Sequence, residues 1–226
     1  MDLSLNGCWF LPSRRRIARL TTFIESAKAT GISTPGIILV QQQELAELRE
    51  QYDAIKLPPR WSIAATARDG MGEKLKDCWP EIKELDWFGW LVDDLVAVTP
   101  EWDQKLISGL NCKNFVSAND GGQMPRRMCV PVFSKALLNA VGYLYPPSFW
   151  HTYLDNVWED LGRAAGCWTI MDDVVLTHHH GFKDGVLVDP DETAVKSYSR
   201  MAEDAQAYER WKKYVMPVSV LKIKAL

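Results

Sequence analysis

Short apolar runs and longer amphipathic segments alternate along the first third of the chain. NGCWFLP (Asn6–Pro12), GIILVQ (Gly36–Gln41) and WSIAATA (Trp61–Ala67) have the length and apolar content of buried strands. The segments between them, SRRRIARLTTFIESAKATG and ELAELREQYDAIK, place apolar residues at helical spacing. Strands that alternate with helices are typical of a doubly wound α/β sheet with parallel strands. The pattern therefore predicts an α/β fold.

The alternation continues toward the C-terminus. WFGWLVDDLVAV is a fourth apolar strand that runs into Asp93-Asp94, and a helix, a strand near Asn114–Ala118 and a polar loop over Asn119–Arg127 follow it. VPVFSKALLNAVG, a helix over Phe149–Gly166 and the strand CWTIMDDVVLTHHH come next. The tail, roughly Asp189–Leu226, is predicted to form a polar helix and then a short apolar-basic strand.

Capping signals locate the ends of two helices. Ser13 is expected to cap the start of the first helix, and Gly31 stands where its C-terminal cap belongs. Thr99 and Pro100 stand at the N-cap and the first helical position of a later helix.

Composition narrows the class of protein. The chain has 226 residues, of which 47% are hydrophobic and 24% charged, and its net charge of −3 argues against binding nucleic acid through overall charge. Five scattered cysteines without a CxxC pair favour reduced thiols. Because neither a leader pattern nor a run of roughly 20 apolar residues is present, we expect a cytoplasmic protein. Most of the ten tryptophans are expected in the core.

Two adjacent acids mark the first candidate site. Asp93 and Asp94 follow a buried strand, and open α/β sheets bind ligands at the carboxyl ends of their strands. Buried neighbouring carboxylates need a compensating cation or hydrogen-bond donors. A Mg²⁺ or Mn²⁺ ion that holds a diphosphate would meet that need. The alternative is a strand end whose acids face water.

Three of the four histidines stand together in Thr177–His180, at the end of another apolar strand. In an extended segment His178 and His180 point to the same face, so both can approach one ion or phosphate. The alternative is a surface loop.

The segment HTYLDNVWEDLG carries the third group of candidates. Asp155 and Glu159 are four residues apart and share a helix face. An acid beside a buried tryptophan, such as Trp158, can serve as a general base. For Glu159 and Asp160 an ordinary helix surface is expected.

Basic residues supply possible phosphate contacts. Arg14, Arg15 and Arg16 open the first helix, where guanidinium and backbone N–H groups suit a phosphate. The glycine-bearing turn after the third strand, with Arg68-Asp69-Gly70 and Gly72–Lys74, can meet the same diphosphate. Arg126-Arg127 lie near Asn119-Asp120 and contact either an acceptor or only water.

The order of these motifs resembles that of family 2-like glycosyltransferases of the GT-A fold, especially the compact forms common in bacteriophage and actinobacterial genomes. The resemblance covers roughly Asn6–Thr193. It rests on Pro12-Ser13-Arg14-x-Arg16; Asp93-Asp94 with Thr99-Pro100-x-Trp102-Asp103; Asn119-Asp120 with Pro131 and Val141-Gly142-Tyr143; His151-x-Tyr153-x-Asp155-Asn156-x-Trp158-x-x-Leu161-Gly162; and Asp173-Val174-Val175-x-x-His178-x-His180 with Asp191-Glu192-Thr193 behind it.

The resemblance implies a single GT-A domain over residues 1–226, with a mixed, mostly parallel central sheet flanked by helices. It implies a nucleotide-sugar half over about 1–100, an acceptor half over about 101–195 and a C-terminal helix and tail over 196–226. It further implies a divalent metal, Mn²⁺ or Mg²⁺, and a nucleotide-sugar donor, with a UDP-sugar favoured.

The resemblance also implies roles for individual residues. Asp155 would deprotonate the acceptor hydroxyl for an inverting displacement, and Asp94 with His178 or His180 would hold the metal. The nucleotide-sugar would contact Pro12, Ser13, Arg14, Arg16, Arg68 and Asp93. The acceptor would contact Asn119, Asp120, His151 and Trp158.

Two positions depart from the pattern. Many relatives have, at the end of the second strand, an acid that helps to hold the nucleotide base, and this chain has Gln41-Gln42-Gln43 there. After Asp93-Asp94, Leu95 replaces a histidine. The identity of the base therefore stays open.

Several functions remain open at this point. In a phage context the acceptor would be a hydroxymethylated DNA base, and tail lysines such as Lys212 and Lys222 would contact the DNA phosphates. The alternative acceptor is a glycan of the cell envelope or of a protein. Other classes are a catalytically inert relative that binds nucleotide-sugars, and a nucleotidyltransferase on a similar fold.

Overall fold

The computed structural model describes residues 6–121, 128–150, 152–178, 182–183, 186–187 and 198–226, with the backbone alone at 182–183, 186–187 and 198–200. The strands are β1 (Gly7–Pro12), β2 (Gly36–Gln41), β3 (Trp61–Thr66), β4 (Trp87–Trp90), β5 (Leu95–Ala97), β6 (Phe115–Asn119), β7 (Cys129–Ser134), β8 (Trp168–His178), β9 (Phe182–Lys183) and β10 (Val186–Leu187). The helices are α1 (Ile17–Ala29), α2 (Gln42–Glu47), α3 (Arg49–Asp53), α4 (Met71–Asp77), α5 (Trp79–Ile82), α6 (Trp102–Ser108), α7 (Lys135–Val141), α8 (Leu154–Ala165), α9 (Tyr198–Tyr214) and α10 (Met216–Lys224).

Eight strands form one mixed sheet in the order β3-β2-β1-β4-β7-β6-β8-β5. The first four in this order are parallel, β6 is parallel to β8, and the β4–β7, β7–β6 and β8–β5 pairs are antiparallel. The predicted mixed α/β sheet is therefore confirmed. Because β1 and β4 are parallel neighbours, the residues that follow both strands meet at one edge of the sheet.

The sheet separates two apolar cores. Trp9 and Leu11 of β1 face one core, and Cys8 and Phe10 face the other, as the two-residue period of a strand requires. Seven of the ten tryptophans are buried, so most of them serve the core as predicted.

Both capping predictions at helix starts are wrong. Ser13 donates its hydroxyl to Asp93 (2.8 Å), and α1 begins only at Ile17 without a side-chain cap. Thr99 Oγ1 accepts from Val175 N (2.8 Å), which ties this turn to β8, and α6 begins after Glu101. In each case a contact that is distant in sequence uses the hydroxyl.

Several predicted elements have different boundaries or a different type. The strand predicted over WFGWLVDDLVAV is divided into β4 and β5. The second helix is divided into α2 and α3, and the helix predicted from Phe149 begins only at Leu154. The apolar-basic end of the tail is the helix α10 rather than a strand, because its inner face, including Ile223, packs against α7 and α8. Within the described ranges, no helix has both the length and the apolarity needed to cross a bilayer.

Candidate active site

The loop after β1 is bonded directly to Asp93. The Ser13 hydroxyl and the Arg14 backbone N–H both donate to Asp93 Oδ2, at 2.8 and 3.4 Å, and Arg16 Nη1 lies 3.1 Å from Oδ1. Asp93 is only 4% exposed, and burial raises the pKa of its carboxyl while the Arg16 charge opposes that rise. The motif after β1 and the acid pair after β4 thus form one unit.

Two further buried ionisable side chains fix the Ser13–Arg16 loop. Lys74 of α4, which is 2% exposed, donates through Nζ to the Ser13 carbonyl at 2.6 Å, and burial lowers its pKa. Glu44 of α2 accepts from the Arg15 backbone N–H at 2.5 Å and from the Tyr52 hydroxyl. The sequence does not mark Glu44 for this role, since it looks like an ordinary polar position of an amphipathic helix. It places Lys74 in a turn that can meet the diphosphate, but does not indicate its contact with the Ser13 carbonyl.

Asp94 lies among cationic and imidazole groups. Its Oδ1 is 2.9 Å from His178 Nε2, and its Oδ2 is 3.5–3.6 Å from the guanidinium groups of Arg16 and Arg19. Burial alone would raise the pKa of Asp94, but the contact with His178 and the two arginine charges outweigh it, so the pKa lies below the ordinary value. Arg19 was not predicted, although it is one helical turn beyond Arg16.

The donor atoms of Asp94 and His178 fit a divalent cation. Apart from the contact with His178, Asp94 Oδ1 is buried without a hydrogen-bond partner among the described residues. A carboxylate oxygen and an imidazole nitrogen are both ligands of first-row divalent metals, and such a site is commonly completed by phosphate oxygens. The described residues contain no group of three or more His, Cys, Asp or Glu side chains that converge on one metal position. His180, the other predicted ligand, lies outside the described residues.

A pocket of about 440 Å³ opens beside His178. Asp155, in the first turn of α8, lines this pocket together with His178 and Asp120. Asp120 is 5% exposed and follows β6 at the same edge of the sheet. The rest of the lining is largely apolar and includes Trp90, Val92, Met128, Cys129, Val130 and Met201.

The backbone around the pocket adopts unusual conformations. Val130 has a φ of 47°, where the β7 register shifts against β6, and Tyr153 has a φ of 69° immediately before α8. Both residues line the pocket. A β-branched residue with positive φ is strained, and such strain is concentrated at functional sites.

Buried carboxylates from other elements support the pocket wall. Asp204 of α9 is 2% exposed and accepts from the backbone N–H groups of Trp150 (2.7 Å) and Thr152 (2.8 Å). Glu159 accepts from Met128 N at 2.7 Å and is buried, so the expectation that it lies on an ordinary helix surface is wrong. The ordering of this wall therefore depends on two carboxylates for which the sequence did not indicate this role.

Three other predicted contact residues lie in different surroundings. Trp158 is fully buried, donates to the Leu144 carbonyl at 2.8 Å and serves the core under the pocket rather than its surface. Arg68 is turned toward α4, where it pairs with Glu73 at 2.8 Å. The Asn119 side chain donates to the Asp172 carbonyl of β8 at 3.3 Å and accepts from Gly121 N at 3.0 Å. His151 lies outside the described residues.

Solved structures share this fold. A mannosyltransferase from Pyrobaculum calidifontis, in complex with GDP-Man and Mn²⁺, superposes with a TM-score of 0.62 at 10% identity, covering 99% of this chain and 74% of that one. Glucosyl-3-phosphoglycerate synthase from Mycobacterium tuberculosis, in complex with Mn²⁺ and UDP, superposes with a TM-score of 0.58 at 14% identity, covering 88% of this chain and 78% of that one. S. aureus TarS 1-349 superposes with a TM-score of 0.56 at 10% identity, covering 76% of this chain and 59% of that one.

At these identities the similarity establishes the fold, which is the GT-A fold of glycosyltransferases. No protein-family model matches the chain, and no curated protein matches its sequence.

Proposed function

We propose that this protein is a metal-dependent glycosyltransferase, which moves a sugar from a nucleotide-sugar donor to an acceptor hydroxyl. One observation carries the proposal: contacts run without a break from the Ser13–Arg16 loop through Asp93-Asp94 to His178, and His178 lines the pocket that contains Asp155. Solved glycosyltransferases of the same fold, in complex with GDP-Man or UDP and with Mn²⁺, support it.

The arginines beside the acid pair suit the diphosphate of the donor. Arg14, Arg16 and Arg19 all reach toward the edge where β1 and β4 end, through contacts with Asp69, Asp93 and Asp94. Guanidinium groups bind phosphate oxygens through charge-assisted hydrogen bonds. A UDP-sugar is the favoured donor, as the family resemblance implies.

Asp94 and His178 would hold the metal. A divalent cation bound there supplies charge stabilisation for the leaving diphosphate. Arg16 and Arg19 stabilise the Asp94 carboxylate, and Asp93 keeps the Ser13–Arg16 loop beside it.

Asp155 is the proposed base. Its carboxylate is in the first turn of α8, where the helix dipole stabilises negative charge, and it lines the same pocket as His178. An acceptor hydroxyl in this pocket would transfer its proton to Asp155 as its oxygen attacks the anomeric carbon. Attack from the side opposite the diphosphate would invert the anomeric configuration.

The acceptor is proposed by class only. A hydroxymethylated base in DNA stays a prediction from the phage resemblance, and its rival is a glycan of the cell envelope or of a protein. The largely apolar walls of the pocket accommodate the face of a sugar ring as readily as that of a base.

The test is the release of nucleoside diphosphate from UDP-, GDP- and TDP-sugars with Mn²⁺, in the presence and absence of hydroxymethylated DNA or envelope extract. Wild type is compared with Asp94→Ala, Asp155→Asn and the control Asp172→Asn, which removes an exposed acid. Release that requires the metal, Asp94 and Asp155 but not Asp172 is expected. Donor binding without release would indicate an inert relative, and pyrophosphate release from a nucleoside triphosphate would indicate a nucleotidyltransferase.

A further inference from the structure

Exposed hydrophobic side chains are concentrated at the C-terminal end of the chain. Of the six large hydrophobic residues that are exposed in the described part of the chain, five lie between Tyr214 and Leu226. Tyr214 is 65% exposed, Val218 52% and Leu221 69%. Single exposed apolar residues are normal, but a group of this kind indicates a surface that contacts a partner.

These side chains form one stripe because the helical hydrogen bonds continue from α9 into α10. Val215 N donates to the Trp211 carbonyl at 2.8 Å, and Ser219 N donates to the Val215 carbonyl at 3.0 Å, so the four-residue spacing of the hydrogen bonds continues. Tyr214, Val218 and Leu221 are therefore i, i+4 and i+7 on one face. The other face of α10, which includes Ile223, is buried against α7 and α8.

The stripe is bordered by positive charge. Exposed lysines stand at 213, 222 and 224, and residues 211–226 contain no Asp or Glu side chain. Lys212 is exposed as well, and its ammonium group pairs with Asp160 at 2.9 Å. An apolar stripe with a basic border is typical of helices that lie in the interface of an anionic bilayer, with lysine stems along the acyl region and ammonium groups at the headgroups.

We propose that the outer face of α10, with Tyr214, docks on the surface of an anionic lipid bilayer. Duplex DNA would use the lysines but would leave the apolar stripe exposed to water. A second copy in a symmetric dimer would bring lysines of like charge together around the stripe. Of these three occupants, the lipid surface satisfies both the apolar and the basic groups. This inference rests on α10 and does not depend on the proposed function.

Vesicle flotation with the full chain tests the proposal. The expected result is binding to vesicles of phosphatidylcholine with phosphatidylglycerol, with weaker binding to phosphatidylcholine alone and a decrease at high salt. The double variant Val218→Asp/Leu221→Asp should lower the partition coefficient about tenfold or more. Val98→Asp is the matched control, because Val98 is the sixth exposed hydrophobic residue, is 53% exposed and lies far from α10 in sequence.

Circular dichroism should show equal helix content in all three proteins, since each substitution is on an exposed side chain. Equal flotation of wild type and the double variant would overturn the proposal. The absence of binding to anionic vesicles would also overturn it. In that case a dimer in sedimentation analysis would assign the stripe to a second copy, and binding of duplex DNA would assign the lysines to nucleic acid.

Discussion

The two sides of the candidate site are built in different ways. On the nucleotide side, which is the side proposed to bind the donor, the loop after β1 is fixed by short contacts to three buried ionisable side chains, Asp93, Lys74 and Glu44. On the pocket side, a cavity of about 440 Å³ is surrounded by strained backbone at Val130 and Tyr153. A rigid loop suits the diphosphate, which all nucleotide-sugar donors have in common. An open cavity suits the part of the site that selects the acceptor.

The contrast implies that substitutions on the two sides should separate donor effects from acceptor effects. A residue of the nucleotide side should alter the KM of the donor, and a residue that supports the pocket wall should alter the KM of the acceptor. A residue that acts on the reacting hydroxyl should alter kcat.

The largest effect is expected for Asp155→Asn. Loss of the proposed base should lower kcat by about 10² to 10⁴-fold, because general-base catalysis contributes that much, and should leave the KM of the donor within about twofold. Steady-state kinetics at saturating donor measures both parameters. A parallel decrease in donor affinity would instead assign Asp155 to binding.

Lys74→Met should weaken the nucleotide side. It leaves the Ser13 carbonyl without its buried donor and removes a positive charge close to Glu44 and Asp93. Breaking such a buried ionic arrangement costs about 3 kcal/mol of unfolding free energy, and the KM of the donor should rise about tenfold with a smaller change in kcat. Lys83→Met, on an exposed lysine, is the control. An unchanged donor KM in a folded Lys74→Met variant would contradict the proposed role of the loop.

Asp204→Asn should have the smallest effect and should act on the opposite side. Asp204 accepts hydrogen bonds at both carboxylate oxygens from Trp150 and Thr152, and an amide keeps only one acceptor oxygen. The expected cost is about 1–2 kcal/mol of unfolding free energy, with a rise of about threefold in the KM of the acceptor and no change for the donor. Glu203→Gln changes the exposed neighbour and serves as the control.

The sequence was sufficient for the first three strands and for the parts of the site that are local motifs, whereas the single strand predicted over WFGWLVDDLVAV is divided into β4 and β5, which are not neighbours in the sheet. The apolar runs predicted β1, β2 and β3 to within a residue, and Asp93, Asp94 and His178 converge as strand-end positions should. The buried contacts of Lys74, Glu44 and Asp204 could not be recognised, because each residue stands in an amphipathic helix and its partner is distant in sequence.

The wrong predictions have a related cause. Ser13 and Thr99 have the local signature of helix caps, yet their hydroxyls are used by Asp93 and Val175. The end of the tail alternates apolar and basic residues like a strand, but packing on α7 and α8 selects a helix. Tertiary contacts outweighed local propensity in each of these cases.

The central claim is that Asp94 and His178 act together as the metal site for the donor diphosphate. Calorimetric titration of UDP and GDP, with and without Mn²⁺, tests it most directly in wild type, His178→Ala and the control His178→Gln, which retains a polar side chain. We predict that Mn²⁺ strengthens nucleotide binding at least about tenfold in wild type, and that His178→Ala loses most of this gain because one ligand is missing. The same Mn²⁺-dependent gain in wild type and His178→Ala would contradict the account.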